Sequence, residues 1–187
     1  EAYANLAQIW LNRGSVDEAG VLASKAVALG STRPEPYYVL AMVLEAQHKT
    51  EEALSHYLTA ARLDSSFVPA YIGACSTLLK KAKLDSVLLL CDKGLKIGSS
   101  YSHYLHELKA RALYAMGRLE ESEGEFRKAI AEEASSTSAR LGLARLYIAQ
   151  GKPHRARKEL EQVIRIDPTN EDARTLLRQL QRSGLQK

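Results

Sequence analysis

Residues 139–168 read ARLGLARLYIAQGKPHRARKELEQVIRIDP, and the spacing of their apolar side chains decides the fold. Leu141, Leu143, Leu146 and Tyr147, with small Ala144 between them, share one face of a helix, and after Gly151-Lys152-Pro153 a second periodic face carries Ala156, Leu160, Val163 and Ile164. Gly151 suits the left-handed residue that ends a helix, and Pro153 suits the first turn of the next, where a missing N–H goes unused. Asp167-Pro168 then stops the pair. The stretch predicts helix, tight turn, helix.

The pattern returns at a fixed interval. Tyr3, Tyr37 and Tyr71 stand 34 residues apart, as do Ala7, Ala41 and Cys75, Ala110 and Ala144, and Gly117 and Gly151. Self-similarity at such a period marks a repeat architecture, in which each unit buries its apolar face against its neighbours. On this register the turn position holds Gly14, His48, Ala82, Gly117 and Gly151. The second helices carry Ala19, Ala53, Val87, Ser122 and Ala156, then Ala26, Ala60, Gly94, Ala129 and Val163, mostly small residues that let two helices approach where they cross. The predicted repeats cover 1–33, 34–67, 68–101, 102–136 and 137–169, followed by a capping helix over 170–183. Ser15 with Glu18 reads as a capping box, Thr50 as the cap of the second helix of repeat two, and Thr169 as the cap of the last helix. The third repeat departs most, with Val87, Cys75, Cys91 and Gly94 at contact positions, and the following 98–102 holds one residue beyond the period.

The chain resembles the tetratricopeptide-repeat (TPR) family. Repeat five follows its pattern with Leu143-Ala144, Tyr147, Gly151, Ala156, Leu160 and Pro168, and repeat two with Tyr37, Leu40-Ala41, Leu44, Ala53, Tyr57 and Ala60. The resemblance implies an all-α, right-handed α-solenoid of five helix-turn-helix repeats with a C-terminal capping helix, and a binding scaffold lined by the first helices. A chaperone-tail adaptor of this family would carry Lys, Asn and Arg where this chain has Ala4, Gln8, Val39, Pro69 and Gly73, so that partner class is not expected. The asparagine ladder of glycosyltransferase-linked arrays is represented here by Asn5 alone.

Composition bounds the rest. At 187 residues, 45% hydrophobic and 26% charged, the chain can bury a continuous core. Its two cysteines, both at core-type positions, point to buried thiols and a reducing compartment, cytoplasmic or nuclear. The longest apolar run, Val87-Leu88-Leu89-Leu90-Cys91, is far below the ~18 residues of a membrane span. The first residue, Glu1, already lies in a helical pattern without a cap, so the sequence reads as a piece of a longer protein. No catalytic constellation, cofactor loop or metal-ligand spacing emerges; His103 and His106 share a helix face but lack a third ligand. An enzyme is not expected.

Binding therefore falls to the first helices. The expected groove comprises Asn5, Gln8 and Asn12; Tyr38, Val39, Met42 and Glu45; Ile72, Gly73, Ser76, Leu79 and Lys80; Glu107, Leu108, Arg111 and Tyr114; and Leu141, Gly142, Arg145 and Ile148. Its middle is apolar, and Gly73 would let a ligand backbone come close. Arg111 and Arg145, at equivalent places, would grip one acidic or phosphorylated side chain, unless each pairs locally, Arg111 with Glu107 for instance. The expected role is a protein-interaction module in a multiprotein assembly, binding a partly apolar peptide or helix. The alternative is RNA or an anionic surface at the C-terminal end, where nine Lys/Arg (152, 155, 157, 158, 165, 174, 178, 182, 187) stand against five acids. Tyr147 is the one aromatic near them, too few for base stacking.

Overall fold

The computed structural model describes residues 2–182, which form eleven helices and no strand; Glu1, Lys187 and the last residue of the predicted capping helix lie outside them. The chain divides into two compact units, Glu1–Tyr101 and Ser102–Lys187. The first holds α1 (Ala2–Asn12), α2 (Val16–Ala28), α3 (Pro34–Ala46), α4 (Thr50–Leu63), α5 (Val68–Lys80) and α6 (Leu84–Leu95). The second holds α7 (Ser102–Ala115), α8 (Leu119–Glu132), α9 (Thr137–Ala149), α10 (Pro153–Ile166) and α11 (Glu171–Arg182). The supernumerary residue of 98–102 falls where one unit gives way to the other.

Within each unit every helix packs against the next in sequence, and first helices of neighbouring repeats also touch, α1 with α3, α3 with α5, and α7 with α9. The core of the first unit gathers Ala7, Ala19, Ala23, Val39, Leu40, Ala41, Val43, Leu44, Ala53, Tyr57 and Ala74. That of the second gathers Ala110, Phe126, Ala129, Leu143, Ala144, Leu146, Tyr147, Ala156, Leu160, Val163 and others. The small residues of the periodic pattern are thus the crossing points, and the large ones fill the space around them.

One turn closes each helix pair. The N–H groups of Ser15, Lys49, Lys83, Arg118 and Lys152 donate to the carbonyls five residues back, those of Trp10, Leu44, Leu78, Leu113 and Tyr147, at 3.0, 2.8, 3.0, 2.9 and 2.8 Å. The preceding residue is left-handed in all five turns, with Gly14, Gly117 and Gly151 at φ 81°, 75° and 67°, and His48 and Ala82 at 62° and 53°. This double-bonded C-terminal motif satisfies carbonyls that the helix end leaves open.

The same turn overrules the expected caps at Ser15 and Thr50, and Asp167 engages the third at Thr169. The N–H of Ser15 is committed to the preceding helix, its backbone sits at φ −83°, ψ 76° rather than in the extended region, and its hydroxyl makes no cap bond. Thr50 is the first residue of α4 rather than its cap, its hydroxyl donating to the His48 carbonyl. Thr169 bonds Asp167, and the cap of α11 is Asn170, which accepts from the Ala173 N–H at 3.0 Å.

Candidate functional site

In the first unit, the expected groove face is built by α1, α3 and α5. Gln8 and Asn12 hydrogen-bond each other at 2.9 Å, and Asn5 is exposed. Tyr38, Met42, Ile72, Ser76 and Leu79 are half-buried, so each keeps part of its side chain on the surface, whereas Val39 is buried and forms floor rather than lining. The Tyr38 ring leans on Tyr57, centroids 5.8 Å apart, and edge-on to Phe67 at 5.5 Å. Burial, then the nearby Glu45 charge, raises the Tyr38 phenol above its ordinary pKa.

Glu45 organises the polar part of this face. Its carboxylate accepts from Tyr57 Oη at 2.8 Å, from Thr77 Oγ1 at 3.1 Å and from Lys80 Nζ at 3.0 Å, which joins α3, α4 and α5 through one side chain. Burial first, and the Glu45 charge second, push the Tyr57 hydroxyl upward, so it stays a neutral donor. Thr77, fully buried, has two acceptors within reach of its single hydroxyl proton, Glu45 and the Gly73 carbonyl at 2.9 Å.

Gly73 has a different task from the expected one. A Cβ built there would lie 2.4 Å from the Tyr57 ring, so the missing side chain makes room for an aromatic of α4, not for a ligand backbone. Gly142 repeats the arrangement in the second unit, where a Cβ would lie 2.4 Å from Phe126 of α8. The second helix of one repeat thus drives a ring under the first helix of the next.

The first helices of the second unit offer Tyr114, exposed, with Leu141 and Ile148 half-buried, while Glu107 and Leu108 are buried. The two arginines are each taken by a different carboxylate. Arg145 bonds Asp172 at the start of α11 at 2.7 Å, and Arg111 lies 3.8 Å from Glu107, which also accepts from Ser138 at 2.6 Å. Arg111 thus lies by its i−4 neighbour while Arg145 reaches across to α11, and both side chains stay more than half exposed, Arg145 at 53% and Arg111 at 54%.

Elsewhere, ion pairs thread the second unit in ways the sequence does not announce. Glu125 of α8 receives His106 Nδ1 at 2.5 Å and Lys128 at 2.9 Å, with Lys109 at 3.8 Å. Burial alone would raise its pKa, but these hydrogen bonds and charges outweigh it and hold the carboxyl at about 2. His106 Nε2 also faces Glu132 at 3.5 Å, so the histidine is a structural partner of carboxylates. Within the C-terminal basic set, Arg155 approaches Glu123 at 3.9 Å and Arg174 and Arg178 approach Glu171 at 3.0 and 3.8 Å. Cys75 and Cys91 lie fully buried with sulfurs 3.4 Å apart, and Cys75 is shifted upward by its hydrogen bond with Cys91, then by burial, so it is held as a thiol.

A sequence profile of the tetratricopeptide repeat matches residues 113–180. Residues 113–180 carry tetratricopeptide repeats. Solved structures share the fold of these repeats. TTC0263, a thermophilic TPR protein of Thermus thermophilus, superposes with a TM-score of 0.80 over 96% of this chain and 97% of that one, at 18% identity. YrrB, a TPR protein with an unusual peptide-binding site, gives 0.69 over 94% and 90%, at 18% identity. A chain of the APC/C hetero-tetramer Cut9–Hcn1 gives 0.85 over 96% of this chain and 36% of its own length, at 14% identity. At these identities the likeness is one of fold. Comparison with curated protein sequences gives no match. Among the described residues, no helix is long and apolar enough to cross a membrane.

Proposed function

We propose that the chain is a protein-interaction module, a scaffold subunit of a multiprotein assembly that takes a partly apolar peptide or helix along the first helices of its TPR repeats. The observation that carries this reading is the face shared by α3 and α5. Tyr38, Met42, Ile72 and Leu79 hold half-exposed apolar surface there. The Glu45–Lys80 ion pair borders it and supplies one acceptor and one cation for a backbone or an acidic side chain. Glu45 is braced by Tyr57 and Thr77, so the polar edge is preorganised. In the second unit, Arg111 and Arg145 would exchange their present carboxylates for an acidic or phosphorylated ligand group. The Arg145–Asp172 pair is exposed on both sides and contributes only about 0–1 kcal/mol, so that exchange costs little, while release of Arg111 would leave the buried Glu107 carboxylate to Ser138. The peptide-binding site of YrrB supports the reading by analogy of fold.

The test is selection from a displayed peptide library by the wild-type chain and by the double variant Met42→Glu and Leu79→Glu. Enrichment of apolar sequences by the wild type, with at least about tenfold weaker capture by the variant, is the expected result. Equal capture by a folded variant overturns the α3/α5 face as the site.

A further inference from the structure

Repeat three departs from the other four at one pair of facing positions. Where the other first helices carry Ala7, Ala41, Ala110 and Ala144, α5 carries Cys75. Where the other second helices carry Ala23, Tyr57, Phe126 and Leu160, α6 carries Cys91. The repeat asks for a small residue on the first helix and accepts anything from a methyl to a ring on the second, so packing calls for a thiol at neither place. Both side chains are 0% exposed, and their sulfurs lie 3.4 Å apart across the helix pair. The two thiols are also ordered: the Cys91 S–H donates to Cys75 Sγ, and the Cys75 S–H donates to the Val87 carbonyl at 3.8 Å. Sulfurs in a disulfide stand about 2.05 Å apart, so joining these two asks for an approach of about 1.4 Å shared between two side chains.

We propose that Cys75 and Cys91 form a modification site, a dithiol that a hydroperoxide converts to a disulfide stapling α5 to α6. With hydrogen peroxide, one sulfur attacks as its thiolate, forms an S–O bond and breaks the O–O bond, leaving a sulfenic acid and one water. The second sulfur then attacks the first, the S–S bond forms, and the sulfenic oxygen leaves as a second water. The two thiols give up two electrons and two protons, and one peroxide becomes two waters.

The hydrogen bond from Cys91, then burial, keeps Cys75 a thiol in the resting fold. The first step therefore waits on a local opening of the helix pair that admits peroxide and water. The second step waits on nothing, because the partner sulfur is already in contact, and so it outruns further oxidation. The bond closes a loop over residues 76–90, which removes freedom from the unfolded chain and favours the folded one by about a hundredfold. It also fixes α5 against α6 without adding any group to the half-buried Ile72 and Leu79. The site is independent of the α3/α5 binding face, and its test uses no ligand.

The full chain, reduced and then freed of reductant, is exposed to hydrogen peroxide without urea, unfolded in N-ethylmaleimide and read by intact mass. The expected product is a single chain lighter by two hydrogens and carrying no maleimide, which dithiothreitol returns to the doubly alkylated form. It should form faster than the chain unfolds globally, as timed by a urea jump, and its urea midpoint should lie above that of the reduced chain. Cys75→Ala and Cys91→Ala install residues that other repeats hold at the same places, Ala41 and Ala23 among them, so both should fold. Each should lack the product and show no upward shift of the midpoint after peroxide. Two alkylatable thiols left in the exposed wild type, sulfinic acid in place of the disulfide, or a disulfide between copies overturns the proposal. So does closure no faster than global unfolding, or a midpoint lowered by the bond.

Discussion

The two units answer the same packing problem with different residues. In each, an aromatic of a second helix is driven under a glycine of the next first helix, Tyr57 under Gly73 and Phe126 under Gly142. The first unit gives that ring a hydroxyl and ties it to Glu45, whereas the second uses a plain phenyl ring and places its charges elsewhere, around Glu125 of the same helix. Turn chemistry differs as well, with His48 and Ala82 beside Gly14 in the left-handed region in the first unit, where the second has Gly117 and Gly151 alone in its two helix-pair turns. The comparison teaches that the repeat prescribes a shape at each position, a ring facing a gap or a left-handed turn, and that charge is free to settle around it.

The sharpest way to break this picture is to fill the gaps. Gly73→Ala and Gly142→Ala each place a methyl 2.4 Å from a ring carbon, so the ring must leave its well. Each variant should lose about 1–3 kcal/mol by urea unfolding, as overpacked cores do. Gly124, also within a helix, has nothing within 4 Å of its would-be Cβ, and Gly124→Ala should stabilise by about 0.5–1 kcal/mol. If Gly73→Ala were also neutral, the ring would not be held where it lies.

Legibility in the sequence follows the same division. The period locates all five turns, including those at His48 and Ala82, where neither residue type advertises a positive φ. It does so because the turn is dictated by the two helices flanking it, and their apolar faces are what repeats. The caps at Ser15 and Thr50 mislead because residue type there says nothing of the preceding turn, which shifts where the helix starts, and Thr169 misleads because the Asp167 side chain takes its N–H and hydroxyl. Gly73 suggests a ligand because its true partner is 16 residues earlier on another helix. The equal separation of Phe126 and Gly142 is the available signal. Glu45 is legible as a groove residue, but that it holds Tyr57, Thr77 and Lys80 together depends on three helices meeting and has no sequence signature.

Charge placement predicts that the units part ways in acid. Glu125 is nearly buried, with His106, Lys109 and Lys128 around it and Glu132 on the far side of His106. Its carboxyl sits at about 2, below the ordinary value of 4.5, so the folded state binds its proton less readily than the unfolded chain does. The stabilisation it gives is complete above pH 4.5 and is lost as pH falls from there towards 2, on the order of 2 kcal/mol. Amide exchange followed across this window should show helices α7 and α8 losing protection, and Glu125→Gln should flatten that dependence. Trp10, in the first unit, supplies an independent fluorescence reading of α1. A second unit whose stability is level between pH 5 and 3 would remove the role given to Glu125.

The smallest expected effect concerns the turns. An L-residue held at positive φ costs roughly 1–2 kcal/mol relative to glycine in the folded state, and glycine loses part of that advantage through the greater freedom it adds to the unfolded chain. Ala82 has φ 53° and is exposed, so its methyl makes no burial contribution that would be lost on removal. Ala82→Gly should therefore stabilise the first unit by about 0.5–1 kcal/mol in urea unfolding. The converse changes, Gly117→Ala and Gly151→Ala, should cost the second unit a similar amount even though open space surrounds both positions, because the penalty resides in the backbone and not in packing. Equal and opposite shifts would show that the two units use one turn with interchangeable residues. Destabilisation by Ala82→Gly would mean that the alanine holds its turn by something other than tolerance of the left-handed conformation.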